Sequence, residues 1–204
     1  AVLRDGRFAR LRAGFVTAAE FGATVWGKAW LRTVAPTAAA GPNALLPKAR
    51  SLARNDAATL TVRSGLIEAR VVVAGVTSQV RITIPPWTAS QRSEVVKLLA
   101  ENPAPAAGDL PDALELELWH RKINVNVPLA ELDAECDCTS KRRPCVHVLT
   151  AVHRLVQLVD ERPRLAVELR GVGVTEEAAD LTTAHDPDRV RLSDLDPATF
   201  YDPR

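Results

Sequence analysis

The 204-residue chain predicts an α+β protein in which a small antiparallel β-meander is set among helices. Three observations carry that expectation. Between Ala57 and Ile84 apolar residues recur at every second position, and turn residues interrupt them at Ser64-Gly65 and Ala74-Gly75. That is the pattern of three short strands joined by hairpins. Downstream, residues 146–161 place apolar side chains at 148, 149, 152, 155, 156 and 159, a stripe along one face of a helix. Near the start, Trp26 and Trp30 stand four residues apart with Val34 beyond them, again on one helical face.

Taken in order, residues 1–14 hold Arg4, Arg7, Arg10 and Arg12 and read as irregular. A helix is expected from about Ala18 to Ala35, with Trp26 and Trp30 turned to the core. Pro36 to Pro47 is rich in Pro, Ala and Gly and reads as a loop. The meander follows and Pro85-Pro86 ends it. Thr88 with Gln91 forms a capping-box pattern that opens a helix to about Glu101. After the PAPAAGD stretch, Asp109 is expected to cap a short helix through Leu118, and alternating Ile123, Val125 and Val127 suggest a brief strand. Trp87 and Trp119 are read as core residues. The helix at 146–161 stops before Arg162-Pro163, and another short helix reaches Arg170. Residues 171–204 carry 3 basic and 8 acidic side chains and read as a weak helix near 175–183 within an acidic tail. The expected organisation is 1–87, helix plus meander; 88–170, a helical region; and 171–204, the tail.

Composition narrows the function classes. Hydrophobic residues are 47% and charged residues 25% of the chain, enough to build an ordinary core. No apolar run approaches the roughly 20 residues of a membrane span, and the N-terminal stretch lacks a signal peptide's h-region. A cytoplasmic protein with no membrane partner is expected. The net charge of +1 hides an asymmetry: residues 1–100 hold 14 basic and 5 acidic side chains, residues 101–204 hold 12 and 20. Such a split suits a basic surface for nucleic acid, or two halves that neutralise each other.

The sharpest signal is ECDCTSKRRPCVHVL, with Cys136-x-Cys138, six residues, then Cys145-x-His147. Three cysteines cannot close a disulfide framework, and clustered thiols beside a histidine favour a metal in a reducing compartment. On an extended strand, positions i and i+2 point the same way, so Cys136 and Cys138 can aim at one point. On a helix they diverge by about 200°. Cys145 is therefore expected just before the helix and His147 in its first turn, with Pro144 suited to the approach. Four protein donors fill a tetrahedral Zn²⁺ site, and a closed site is structural. Three thiolates leave it with a formal charge of −1. Lys141, Arg142 and Arg143 in the intervening loop can offset that charge or contact phosphate, a solvated loop being the plainer alternative. Cys-x-Cys is not the Cys-x-x-Cys of thioredoxin-like redox sites.

This signature resembles the SWIM zinc finger, Cys-x-Cys followed by Cys-x-His and a helix. Phe21-Gly22-Ala23-Thr24, Trp26-Gly27-Lys28-Ala29-Trp30, the meander and Ile84-Pro85-Pro86 are similar to bacterial, especially actinobacterial, proteins of that family. The finger then spans about 132–160. The resemblance implies binding to DNA or protein, often alongside a Swi/Snf-type helicase. No phosphate-cradling Gly-rich loop, nucleophile elbow or His-Glu zinc-hydrolase helix is found, and no enzyme activity is expected. The expected function is a zinc-binding accessory protein that contacts nucleic acid, DNA before RNA, through Lys141, Arg142, Arg143 and the N-terminal arginines. The alternative is a scaffold subunit that touches only protein.

Overall fold

The computed structural model describes residues 21–34, 43–104 and 109–173. The described core belongs to a unit ending at Val172, and Gly173 begins a second. The expectations for the N-terminal arginines, for most of the 36–47 loop and for the 175–183 helix lie outside the described residues.

The meander forms as its alternation dictates. Strands β1 (Ala58–Arg63), β2 (Leu66–Val73) and β3 (Val76–Thr83) pair antiparallel in sequence order. Ala74 and Gly75 both adopt positive φ, 51° and 80°, the conformation of a two-residue turn that matches strand twist. Ile67, Ala69, Val71, Val80 and Ile82 face inward and are buried, while Glu68, Arg70, Gln79 and Arg81 face solvent. A fourth strand, β4 (Asp133–Cys136), joins the β3 edge with Val80 opposite Cys136 and Arg81 opposite Glu135.

The inner face of this sheet is covered by one helix, α5 (Val146–Glu161), which meets all four strands and also packs on α1 (Val25–Leu31) and α2 (Leu46–Arg54). Its buried stripe includes Val148, Leu149, Val152, Leu155, Val156 and Val159. His153 is fully buried in that stripe. Arg50 Nε donates to its Nε2 at 3.3 Å, which leaves the proton on Nδ1 to donate to the Leu149 carbonyl at 2.8 Å. One hydrophobic cluster runs from Trp26 to Val172.

The start of α1 is tied to the end of α5 through Asp160. Its carboxylate accepts from the Gly22 and Thr24 N–H groups at 2.8 Å each and from the Thr24 hydroxyl at 2.9 Å. The same hydroxyl accepts from the Gly27 N–H and caps α1. Gly22, at φ +73°, makes the bend this clasp needs.

Helix α3 (Ala89–Glu101) opens with the expected capping box, Thr88 and Gln91 bonding reciprocally. Helix α4 (Asp112–His120) and the short α6 (Leu165–Glu168) complete the α-helices among the described residues, and single 3-10 turns lie at Arg32–Val34 and Leu129–Glu131. Trp87 is buried, donates Nε1–H to the Asn124 carbonyl and lies under the Arg170 guanidinium.

Several expectations are corrected. Residues 21–24 are not helical and α1 begins at Val25, because Asp160 and Thr24 satisfy the backbone donors that a longer helix would have used. Residues 46–54, whose start was taken into the Pro36–Pro47 loop, form α2, with Pro47 in the first turn where a missing N–H is harmless. Asp109 bonds the adjacent Leu110 N–H and caps nothing; Pro111 precedes α4. Ile123, Val125 and Val127 alternate and are buried, yet they pair with no strand. Trp119 is 59% exposed. No described helix is long and apolar enough to cross a membrane.

Candidate metal centre

The end of β4 and the beginning of α5 bring four donor atoms together. Cys136 is the last residue of β4, held in register opposite Val80. Asp137 continues the ladder: its N–H donates to the Gln79 carbonyl, and its carboxylate accepts from the Gln79 N–H at 3.0 Å. That bond fixes the point where the chain leaves the sheet. Cys138 follows two residues after Cys136 and returns to the same side.

Residues 139–144 form the turn. Ser140 Oγ accepts from the Arg142 N–H at 3.2 Å, and Arg143 donates a guanidinium N–H to the Ser140 carbonyl at 2.6 Å. The Arg143–Pro144 peptide is cis. Cys145 then occupies the N-cap of α5 in extended conformation, φ −79° and ψ 171°, and His147 lies in the first helical turn. The break in conformation at Cys145 lets an i, i+2 pair converge, as the spacing requires.

The geometry fits a metal. His147 Nδ1 lies 3.7 Å from Cys136 Sγ and 4.0 Å from Cys145 Sγ, and all four donor atoms, Cys138 included, fall within 4.8 Å of one another. Bonds of about 2.0–2.3 Å in a tetrahedron correspond to donor separations of about 3.3–3.8 Å, so only a small contraction is needed. Cys145 is fully buried and the other three donors are partly covered. Among the described residues this is the one group of three or more His, Cys, Asp or Glu side chains with such convergence. The Cys3His set can hold a metal ion.

The thiols differ in acidity. Burial raises Cys136 to about 12, against a backbone N–H from Cys138 that lowers it, with the neighbouring Cys138 and Cys145 adding to the rise. At Cys138 burial also opposes ionisation, but the Ser140 N–H and the side chains of His147, Cys136 and Cys145 outweigh it and bring the thiol to about 6. In metal-free, reduced protein at neutral pH, Cys138 is therefore expected to react first with iodoacetamide, since the thiolate is the nucleophile. Cys136 and the fully buried Cys145 should be labelled far more slowly. Peptide mapping of partly alkylated protein reads the order directly; equal labelling of Cys136 and Cys138 would contradict it.

The basic residues of the loop behave unequally. Lys141, Arg142 and Arg143 are all exposed, but the Arg143 guanidinium is turned onto the loop's own carbonyls of Ser140 and Arg142. Arg4, Arg7, Arg10 and Arg12 lie outside the described residues. Beside the cluster, the outer face of the sheet alternates in sign, with Arg81 between Glu68 and Glu135 in register. Ser140 and Asp137 shape the site, and both belong to the short polar residue types that favour turns and local backbone bonds. Comparison of the chain with protein-family models, characterised proteins and solved structures returns no match, so this donor set is the observation on which a functional reading stands.

Proposed function

We propose that the chain is a zinc-binding accessory protein whose structural SWIM-type finger presents a basic loop to nucleic acid, DNA before RNA, alongside a helicase-type partner. The convergence of three thiols and one imidazole carries this reading. Thiolate-rich, four-donor sites select Zn²⁺ over the hard cations, and a site with all positions filled by protein serves structure. Bound zinc would supply folding free energy through Cys136, Cys138, Cys145 and His147. It would also hold Lys141 and Arg142 at the tip of a fixed turn. Free thiols in this arrangement suit a reducing, cytoplasmic compartment. The likeness of the Phe21–Trp30 segment and of the Cys-x-Cys, Cys-x-His signature to bacterial SWIM proteins supports the same reading.

A specific observation favours the second reading, a scaffold subunit that touches only protein. Part of the charge asymmetry is neutralised internally: Arg32 of the basic half pairs with Glu115 of the acidic half at 2.6 Å. The experiment that separates the two is elemental analysis of purified protein, followed by DNA titration at two salt concentrations. About one zinc per chain, lowered in Cys138→Ser, is the expected result. Salt-dependent binding should lose about 0.9 of its log–log slope for each of Lys141→Ala and Arg142→Ala. Zinc without nucleic-acid binding would select the scaffold reading, and metal-free reduced protein would sink the finger.

A further inference from the structure

The C-terminal end of α4 carries a second feature that the metal centre does not use. Of the four tryptophans, Trp26, Trp30 and Trp87 are at most 2% exposed, whereas Trp119 is 59% exposed. It lines an open hollow of about 530 Å³ with His120, Lys122 and Asn124, and its ring lies 5.5 Å from that of His120.

The helix ends here on one of three non-glycine residues at positive φ among the described residues. The Ile123 N–H donates to the Leu118 carbonyl and the Lys122 N–H to the Trp119 carbonyl, both at 2.9 Å. That is the two-bond helix ending in which the residue after the C-cap takes a left-handed conformation, ordinarily glycine. In this chain the position is Lys122, at φ +59°. A lysine there is strained relative to glycine, and residues held in such conformations are over-represented at functional sites. The carboxylates of α4 are engaged elsewhere, Glu115 with Arg32 and Glu117 with Arg121. Asp112 lies at the opposite end of the helix. Among the described residues Lys122 has no ion-pair partner.

The geometry points to this hollow as a stacking site for an unpaired base of single-stranded nucleic acid, with Trp119 as the platform and Lys122 as the phosphate contact. It rests on the nucleic-acid reading above and adds a second point of contact, away from the finger. An exposed indole accepts any base face, and a neighbouring ammonium supplies the backbone charge that a single strand requires. His120 and Asn124 can supply hydrogen bonds at the rim. Every polar side chain lining the hollow can donate a hydrogen bond, which suits an anionic occupant, and the exposed indole beside them suits a base face, so a strand offering both phosphate and base fits better than a peptide offering carboxylates alone.

Trp119 reports on itself, because the other three indoles are shielded from solvent. Titration of the zinc-loaded chain with an oligothymidine of about 12 nucleotides is expected to quench the solvent-accessible part of the emission. Trp119→Ala should weaken single-strand binding by roughly 10-fold or more, Trp119→Phe should restore part of it, and duplex binding should be unchanged. Lys122→Gly should lower the salt slope by about 0.9 while its unfolding midpoint stays level or rises, a pairing that a merely structural lysine would not give. Single-strand binding that is equal in wild type and Trp119→Ala overturns this site and leaves the finger's nucleic-acid role standing. Absence of binding to any oligonucleotide sinks both, and points to a protein partner at the hollow.

Discussion

Removing the metal is expected to lower the stability of the chain by about 4 kcal/mol or more, roughly 8–16 °C in the unfolding midpoint. The four donors join the last residue of β4 to the first turn of α5, so losing the ion frees both the edge of the sheet and the start of the helix that covers it. Cys145→Ser should approach the full effect, because its side chain is completely buried and serine leaves a hydroxyl there with a metal ligand lost. Cys138→Ser, at a more open position, should do less. The measurement is thermal unfolding by circular dichroism with and without a strong chelator, alongside zinc content. A midpoint that ignores the chelator in zinc-loaded protein would reject a structural role. The pH dependence has a definite sign: Cys136 sits near 12 and is protonated at neutral pH without metal, so binding must release its proton. Zinc affinity should therefore rise with pH and fall on acidification.

The second large effect lies at the opposite end of α5. Gly27→Ala in a helix normally stabilises, by about 0.5–1 kcal/mol. At this position a Cβ would stand 2.0 Å from Asp160 Oδ1, so the carboxylate must leave and surrender its bonds to Gly22 and Thr24. Hydrogen bonds to a charged group are worth about 1.5–3 kcal/mol each and do not add fully. The expected loss is about 3–5 kcal/mol. Asp160→Ala alone should cost about 2–4 kcal/mol. With Asp160 already removed, Gly27→Ala should become neutral or stabilising, since the obstruction is gone. Urea unfolding of the two single variants and the double variant measures this coupling; additive losses would show that Asp160 does not constrain Gly27.

What the sequence made legible was what depends on neighbours along the chain. Both meander turns, at 64–65 and 74–75, the capped helix from Thr88 and the switch from extended Cys145 to helical His147 follow from local spacing. The late start of α1 was hidden because the group that sets it, Asp160, is 136 residues from Thr24. Helix α2 was hidden by Pro47, which reads equally as the end of a loop or the first turn of a helix. Ile123, Val125 and Val127 misled for a related reason: alternation reports burial on one side of an extended segment, and a strand also needs a partner to pair with. Trp119 was read as core because a large apolar side chain is usually buried; its exposure is decided by Leu114 and Leu118, which take the inward face of α4. At the metal centre the identities of the donors were legible, and the supporting bonds of Asp137 and Ser140 were not.

The placement of α5 has a consequence for how the protein is born. Helices α1 and α2 and the inner face of the sheet all rest on residues 146–161, and a chain leaves the ribosome N-terminus first. Until that helix emerges, the nascent polypeptide thus carries Trp26, Trp30 and the apolar side of the meander without the element that covers them, an interval in which a holding chaperone would matter most. Cys145 emerges just ahead of the covering helix and His147 with its first turn, so completion of the donor set and closure of the core would fall within the same short stretch of translation.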